Sequence, residues 1–245
     1  MPLAGIVIAL LAWHLTVVAT HSQVFPSPLA VARALGELGR RHLLWRYIGD
    51  SLFRVAVGFG LAMLAGLPLG TVMGRHRATA AALDPVVQLL RPISPLAWIP
   101  LAIALFGIGG GAATFLIFLG ALFPIVVATM NGVARVPTMY LAAGRNFGLS
   151  PSAQLWRVVL PAALPEILSG LRVALGIAWI VVVAAEMIAV DSGLGYLIID
   201  ARNAGKRYDL VVAGMVLIGS TGLLLDLLAR RLERLKFLRW GFRAE

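Results

Sequence analysis

The chain has 245 residues, 60% hydrophobic and 13% charged, where a soluble domain carries about 25% charged residues. Its net charge of +10 is scattered between apolar runs long enough to cross a bilayer, which points to basic flanks on anionic lipid and away from nucleic acid. The absence of cysteine excludes disulfides, thiolate catalysis and cysteine-based metal sites. Backbone in lipid must satisfy its own hydrogen bonds, and these runs are too long for barrel strands. The expected class is therefore all-α integral membrane, a single domain over residues 1–245 with about six spans.

The first span is expected over residues 3–20. It lacks a basic n-region, so it reads as a retained span and not a signal peptide. An amphipathic segment follows within 21–50. Ser27 and Pro28 read as its N-cap and first helical residue. Leu29, Ala32, Leu35 and Leu38 form its expected apolar face, and the arginines lie elsewhere, as suits an interface. The second span, 51–73, carries Gly66 and Gly70, with Gly74 just beyond; this four-residue spacing lets another helix approach closely. The third, 83–106, is interrupted by Pro92, Pro95 and Pro100, a broken helix tolerated where neighbours or water satisfy the freed carbonyls. A tight turn at 107–111 leads to the fourth span, 112–130. A polar insert, 132–168, separates it from the fifth, 170–190. A polar loop precedes the sixth, 210–228, and a basic tail covers 229–245.

Six spans put both termini and the insert on one side. That side holds eleven Lys and Arg and the other seven, which places termini and insert in the cytoplasm. The four arginines of the amphipathic segment count against that orientation.

No enzymatic constellation emerges. The Gly205–Lys206 pair lacks the rest of a phosphate-binding loop, and no nucleophile elbow occurs. Gly107, Gly109 and Ala112 match a dinucleotide fingerprint by letters, yet they join two apolar spans and read as a membrane turn. The four histidines show no metal-ligand spacing. Without a nucleotide-binding motif the chain is not expected to be an enzyme, and any uphill transport needs an outside energy source. Charges within or near the spans are Arg54, Arg91, Arg172, Glu186 and Asp226. Such charges pair or face water. Arg91 and Glu186 are the candidate partners, as a packing pair or as lining of a solute path. Arg54 and Arg172, near span ends, are expected to snorkel.

The insert reads as a short helix, a glycine turn at Gly148, and a second short helix capped by Ser150 with Pro151 first. Pro161 and Pro165 are expected to stop it before the fifth span. A helical hairpin on a membrane face suits a groove on another protein, but the residues alone leave open an ordinary cytoplasmic loop.

The spacing of the insert resembles the EAA loop of type I ABC importer permeases: E-A-A, three residues, G, nine residues, I, one residue, L-P. The match falls on Ala142, Ala143, Gly144, Gly148, Val158, Leu160 and Pro161. FPSP (25–28), LDPVVQLLRPISPLAWIPLAIALFGIG (83–109), LPAALPEILSGLRVALGIAWIVVVAAEMI (160–188) and SGLGYLI (192–198) are similar to the nitrate, taurine and aliphatic sulfonate permease subfamily. The resemblance implies the type I permease fold in a bacterial inner membrane. It implies a homodimer with two ABC ATPase subunits and a periplasmic or lipid-anchored binding protein. The ATPases would bind ATP and Mg, and this chain no cofactor. Residues 142–161 would receive the ATPase stroke, and spans two to five would line a path for a small anion such as a sulfonate, taurine or nitrate. Similar permeases handle vitamin precursors, and a stand-alone channel or secondary transporter is the rival reading. Two departures stand out: the consensus Glu is Ala142 and its second Ala is Gly144, which weakens the docking helix or shifts the load to other contacts.

Overall fold

The computed structural model describes residues 2–20, 25–203 and 205–233. The end of the basic tail, with Arg234, Lys236, Arg239 and Arg243, lies outside the described residues. Among the described residues eleven α-helices follow one another: α1 (Pro2–Thr20), α2 (Pro28–Arg40), α3 (Leu43–Arg75), α4 (Arg77–Leu90), α5 (Ile99–Phe106), α6 (Gly110–Ala134), α7 (Thr138–Asn146), α8 (Pro151–Gln154), α9 (Leu160–Ala189), α10 (Leu194–Asn203) and α11 (Tyr208–Glu233). Helices α3, α6, α9 and α11 lie in stretches long and apolar enough to cross a membrane. The expected third span is a pair, α4 and the segment Pro95–Phe106, bent by 84°. The bend falls where Pro92 and Pro95 were expected to break the helix. Helix α1 adds a 19-residue apolar helix at the start.

Helices α3 and α6 run parallel in close contact. A Cβ on Gly70 would stand 2.6 Å from the Val126 carbonyl oxygen, and one on Gly74 2.6 Å from that of Met130. Only glycine lets the backbones meet at that distance, as the spacing predicted. Helix α9 packs antiparallel on α6, where Gly132 faces Ala163 and Gly170 faces Ala128. Helix α11 closes the other side of α9, with Trp179 Nε1 donating to the Ile218 carbonyl (3.2 Å). The main core lies among these four helices.

Helix α2 begins as expected, its Ser27 Oγ accepting from the Ala30 amide (3.3 Å). Its inward face differs. Val31, Ala34 and Leu38 are buried and Leu35 half-buried, while Leu29 and Ala32 are exposed. The helix rests on α11 and α3, and that seat selects a stripe rotated from the expected one. Arg207 clasps α2 to the start of α11, reaching Glu37 and Asp209 at 2.8 Å each. The hydrogen bond from Arg207, and then its charge, hold the Glu37 carboxyl below its ordinary range.

Candidate functional site

The polar insert folds as the expected helical hairpin. Helix α7 ends in a Schellman motif: the Leu149 amide donates to the Gly144 carbonyl (3.1 Å) and the Gly148 amide to that of Arg145 (2.9 Å). The motif needs a left-handed residue at its turn, and Gly148 supplies it at φ +72°. Ser150 then caps α8 by accepting from the Ala153 amide (3.3 Å), and Pro151 opens it.

One expectation fails. Pro161 and Pro165 do not stop the helix before the fifth span; both lie within α9. A single π-helical turn, Leu155–Val159, joins α8 to α9 without a break, its Leu160 amide donating to the Leu155 carbonyl. A proline ring clashes with the carbonyl four residues before it and offers no amide. Widening the turn just ahead of Pro161 relieves that clash, so the hairpin is continuous with a 30-residue helix.

Two side chains that the sequence gave no reason to single out tie the hairpin together. Gln154 is buried and its Nε2 donates to the Leu141 carbonyl (2.6 Å), strapping α8 to α7. Arg75, at the end of α3, donates to the Pro151 carbonyl (3.2 Å). The inner face packs on the ends of α6 and α9 through Val133, Val136, Val159, Ala163 and Ile167. The outer face is apolar yet exposed: Phe147 is 87% accessible, Trp156 and Met139 70% each. Between α7, the π turn and the ends of α6 and α9 lies an open cavity of about 670 Å³, bordered by Arg135, Arg157 and Glu166.

Ala142, Ala143, Gly148, Ser150, Pro151 and Pro161 are exposed on this hairpin, Val158 and Leu160 half-buried, and Gly144 buried. Ala142 faces solvent, so the missing consensus Glu takes nothing from the hairpin's own packing. A Cβ on Gly144 would meet Gln154 Nε2 at 3.4 Å and Leu149 and Val158 at 3.5 Å, ordinary contact that an alanine satisfies.

Arg91 and Glu186 do not meet. Arg91 is exposed at the bend after α4 and makes no ion pair among the described residues. Glu186 is fully buried near the far end of α9 and pairs with Arg54 of α3, whose Nη1 donates to Oε1 (2.7 Å). Its Oε2 accepts from Ser51 Oγ (2.9 Å) and the Gly195 amide (3.0 Å). Ser51 Oγ accepts from the Leu194 amide (2.9 Å), and Arg54 also donates to the Ser192 carbonyl (3.0 Å) and hydroxyl. Arg54 is thus buried, not snorkelling, because antiparallel packing brings it level with a carboxylate. Arg172 is half-exposed and paired. It donates to Asp226 (2.7 Å), which also accepts from Arg230 (2.8 Å), and it lies 3.5 Å from Glu233. These contacts join α9 to α11. The signal for the Glu186 cluster was Ser-Gly-Leu-Gly at 192–195: a Cβ on Gly193 would lie 2.3 Å from the Glu186 carboxylate, and one on Gly195 2.2 Å from the Val183 carbonyl.

Comparisons with known proteins agree on one family. Residues 61–237 match the family described as the binding-protein-dependent transport system inner membrane component. The chain is 39% identical to the taurine transport system permease protein TauC of Escherichia coli, over 86% of this chain and 76% of TauC. It is 38% identical to the bicarbonate transport system permease protein CmpB of Synechococcus elongatus, over 96% and 88%. It is 37% identical to the nitrate import permease protein NrtB of a Synechocystis strain, also over 96% and 88%. A solved structure of the MetNI methionine ABC transporter, inward facing, superposes with a TM-score of 0.69 at 23% identity, over 84% of this chain and 99% of its own, which shows the shared fold. The chain therefore belongs to the family of binding-protein-dependent transport system inner membrane components, the membrane-spanning permease subunits of ABC importers.

Proposed function

We propose that the chain is one of two identical permease subunits of an ATP-driven importer for a small anion, and that its 138–161 hairpin receives the stroke of a separate ABC ATPase. The observation that carries this reading is the outer face of the hairpin. Phe147, Trp156 and Met139 stand in the open on a body held rigid by the Schellman turn and the Gln154 strap. Exposed aromatics on a preorganised helical surface are the anchors of a protein–protein interface. The π turn then joins that body directly to α9. ATP and Mg belong to the ATPase, and a periplasmic or lipid-anchored binding protein delivers the solute.

The setting is a bacterial inner membrane, with termini and hairpin in the cytoplasm. The Lys and Arg count, eleven on the side of the termini and hairpin against seven on the other, supports this orientation. The solute class rests on relatives whose names specify taurine, bicarbonate and nitrate, all with anionic groups.

The experiment is co-purification of the chain with its ATPase from detergent extracts. Wild type is expected to retain the ATPase. Phe147→Asp with Trp156→Asp is expected to lose it while inserting normally into the membrane. ATPase retention by the double variant would overturn the assignment of this surface.

A further inference from the structure

At the end of the molecule opposite the hairpin, the Glu186 cluster does more than neutralise a charge. The first amides of α10 are those of Leu194 and Gly195. Neither is capped by a side chain of its own helix. The Leu194 amide donates to Ser51 of α3, and the Gly195 amide to Glu186 of α9. Arg54 holds the preceding turn through both the carbonyl and the hydroxyl of Ser192. Gly193, at φ +102°, leaves room for the carboxylate that no side chain could share, and Gly195 lets α10 approach the Val183 carbonyl of α9. The apolar side of α10 lies elsewhere, with Leu197 and Ile198 against Gly214 of α11. Helix α10 thus packs on α11 through Leu197 and Ile198, lies close against α9 at Gly195, and is fastened to α9 and α3 by these polar contacts. Helix α9 has no break between the π turn and Glu186, and its 30 residues span about 45 Å.

We propose that Glu186 is the output end of α9: a positioning residue through which displacement of the hairpin is delivered to the 191–195 turn and α10 at the outer face. The proposal rests on the reading of an ATPase-driven hairpin. Glu186 does not touch solute in this role; it strengthens the tie by which α10 travels with α9 instead of staying with α11. Without the cluster, α10 keeps its packing on both helices and loses the polar part of its tie to the driven one.

The test uses the complete transporter in nanodiscs and proteoliposomes. Arg54→Met with Glu186→Leu replaces both charges by apolar groups of similar size, so neither is left buried and alone. Hydrogen exchange of the 191–203 amides, basal and binding-protein-stimulated ATP hydrolysis, and solute uptake are read together. The expected result is an assembled complex with basal hydrolysis retained and faster exchange at 191–203. Stimulation and uptake fall by about tenfold, within the usual range for loss of coupling between sites. A purely structural role would move exchange alone, and wild-type stimulation and uptake in this variant would overturn the proposal. If the double variant fails to assemble, Ser51→Ala, which removes the acceptor of the Leu194 amide, is read in the same way. Absence of ATP-dependent uptake in the wild-type complex would instead count against the driven-permease reading. The proposal then falls with that reading; with wild-type uptake intact, unchanged exchange at 191–203 in both variants refutes the proposal alone.

Discussion

Two glycines four residues apart in the hairpin respond to alanine with opposite signs. Gly148 sits at φ +72° with nothing within 4 Å of an added Cβ, so Gly148→Ala meets no clash and its whole cost is conformational. A left-handed alanine costs about 1–2 kcal/mol. Gly144 is helical and buried, and its added Cβ would find three partners at 3.4–3.5 Å. Gly144→Ala therefore gains helix propensity without overpacking, up to about 1 kcal/mol. The assay is hydrogen exchange of the Leu149 amide, which donates to the Gly144 carbonyl across the turn. Exchange is expected to rise by about 5- to 30-fold in Gly148→Ala and to slow by up to about fivefold in Gly144→Ala. ATP-dependent uptake falls in the first and is kept in the second, with membrane insertion normal in both. Shifts of the same sign in the two variants would refute the assignment of turn and helix.

Three further outcomes follow from other parts of the fold. Gly70→Ala puts a methyl 2.6 Å from the Val126 carbonyl and costs about 1–3 kcal/mol in detergent unfolding as the helices separate, whereas Gly60→Ala, with nothing within 4 Å, is tolerated. Gln154→Leu removes the side-chain donor that straps α8 to the Leu141 carbonyl and costs about 0.5–1.5 kcal/mol, read as faster exchange within α7. The Arg207–Glu37 clasp is pH-dependent. Glu37 has its carboxyl depressed by Arg207, so the contribution is full at neutral pH and is lost as pH falls through the lowered value. Fluorescence distances between α2 and α11 are expected to lengthen on acidification in wild type and to stay unchanged in Arg207→Gln.

Much of the fold was legible because hydropathy and glycine spacing record it directly. The glycine stripe of α3, the broken third span and the Gly148 turn needed only local chemistry. What escaped depends on relations between helices. Arg54 was assigned to lipid headgroups and Arg91 to Glu186, because hydropathy gives neither the depth nor the rotation that makes Arg54 the partner. The face of α2 was misplaced for the same reason: two adjacent stripes are apolar, and the seat on α3 and α11 selects between them. Pro161 and Pro165 were read as a stop, since the π turn that accommodates them leaves no pattern in the residues. Gln154 left no signal in the residues, because its burial arises only when the hairpin closes over it.

The central claim, that the chain is a driven permease, is tested most directly by uptake of labelled taurine, nitrate and bicarbonate into proteoliposomes. The permease is reconstituted with and without its ATPase and binding protein. The account predicts uptake of at least one of these anions that requires ATP, the ATPase and the binding protein, and that vanadate stops. Uptake by the purified chain alone, insensitive to ATP and vanadate, would contradict it.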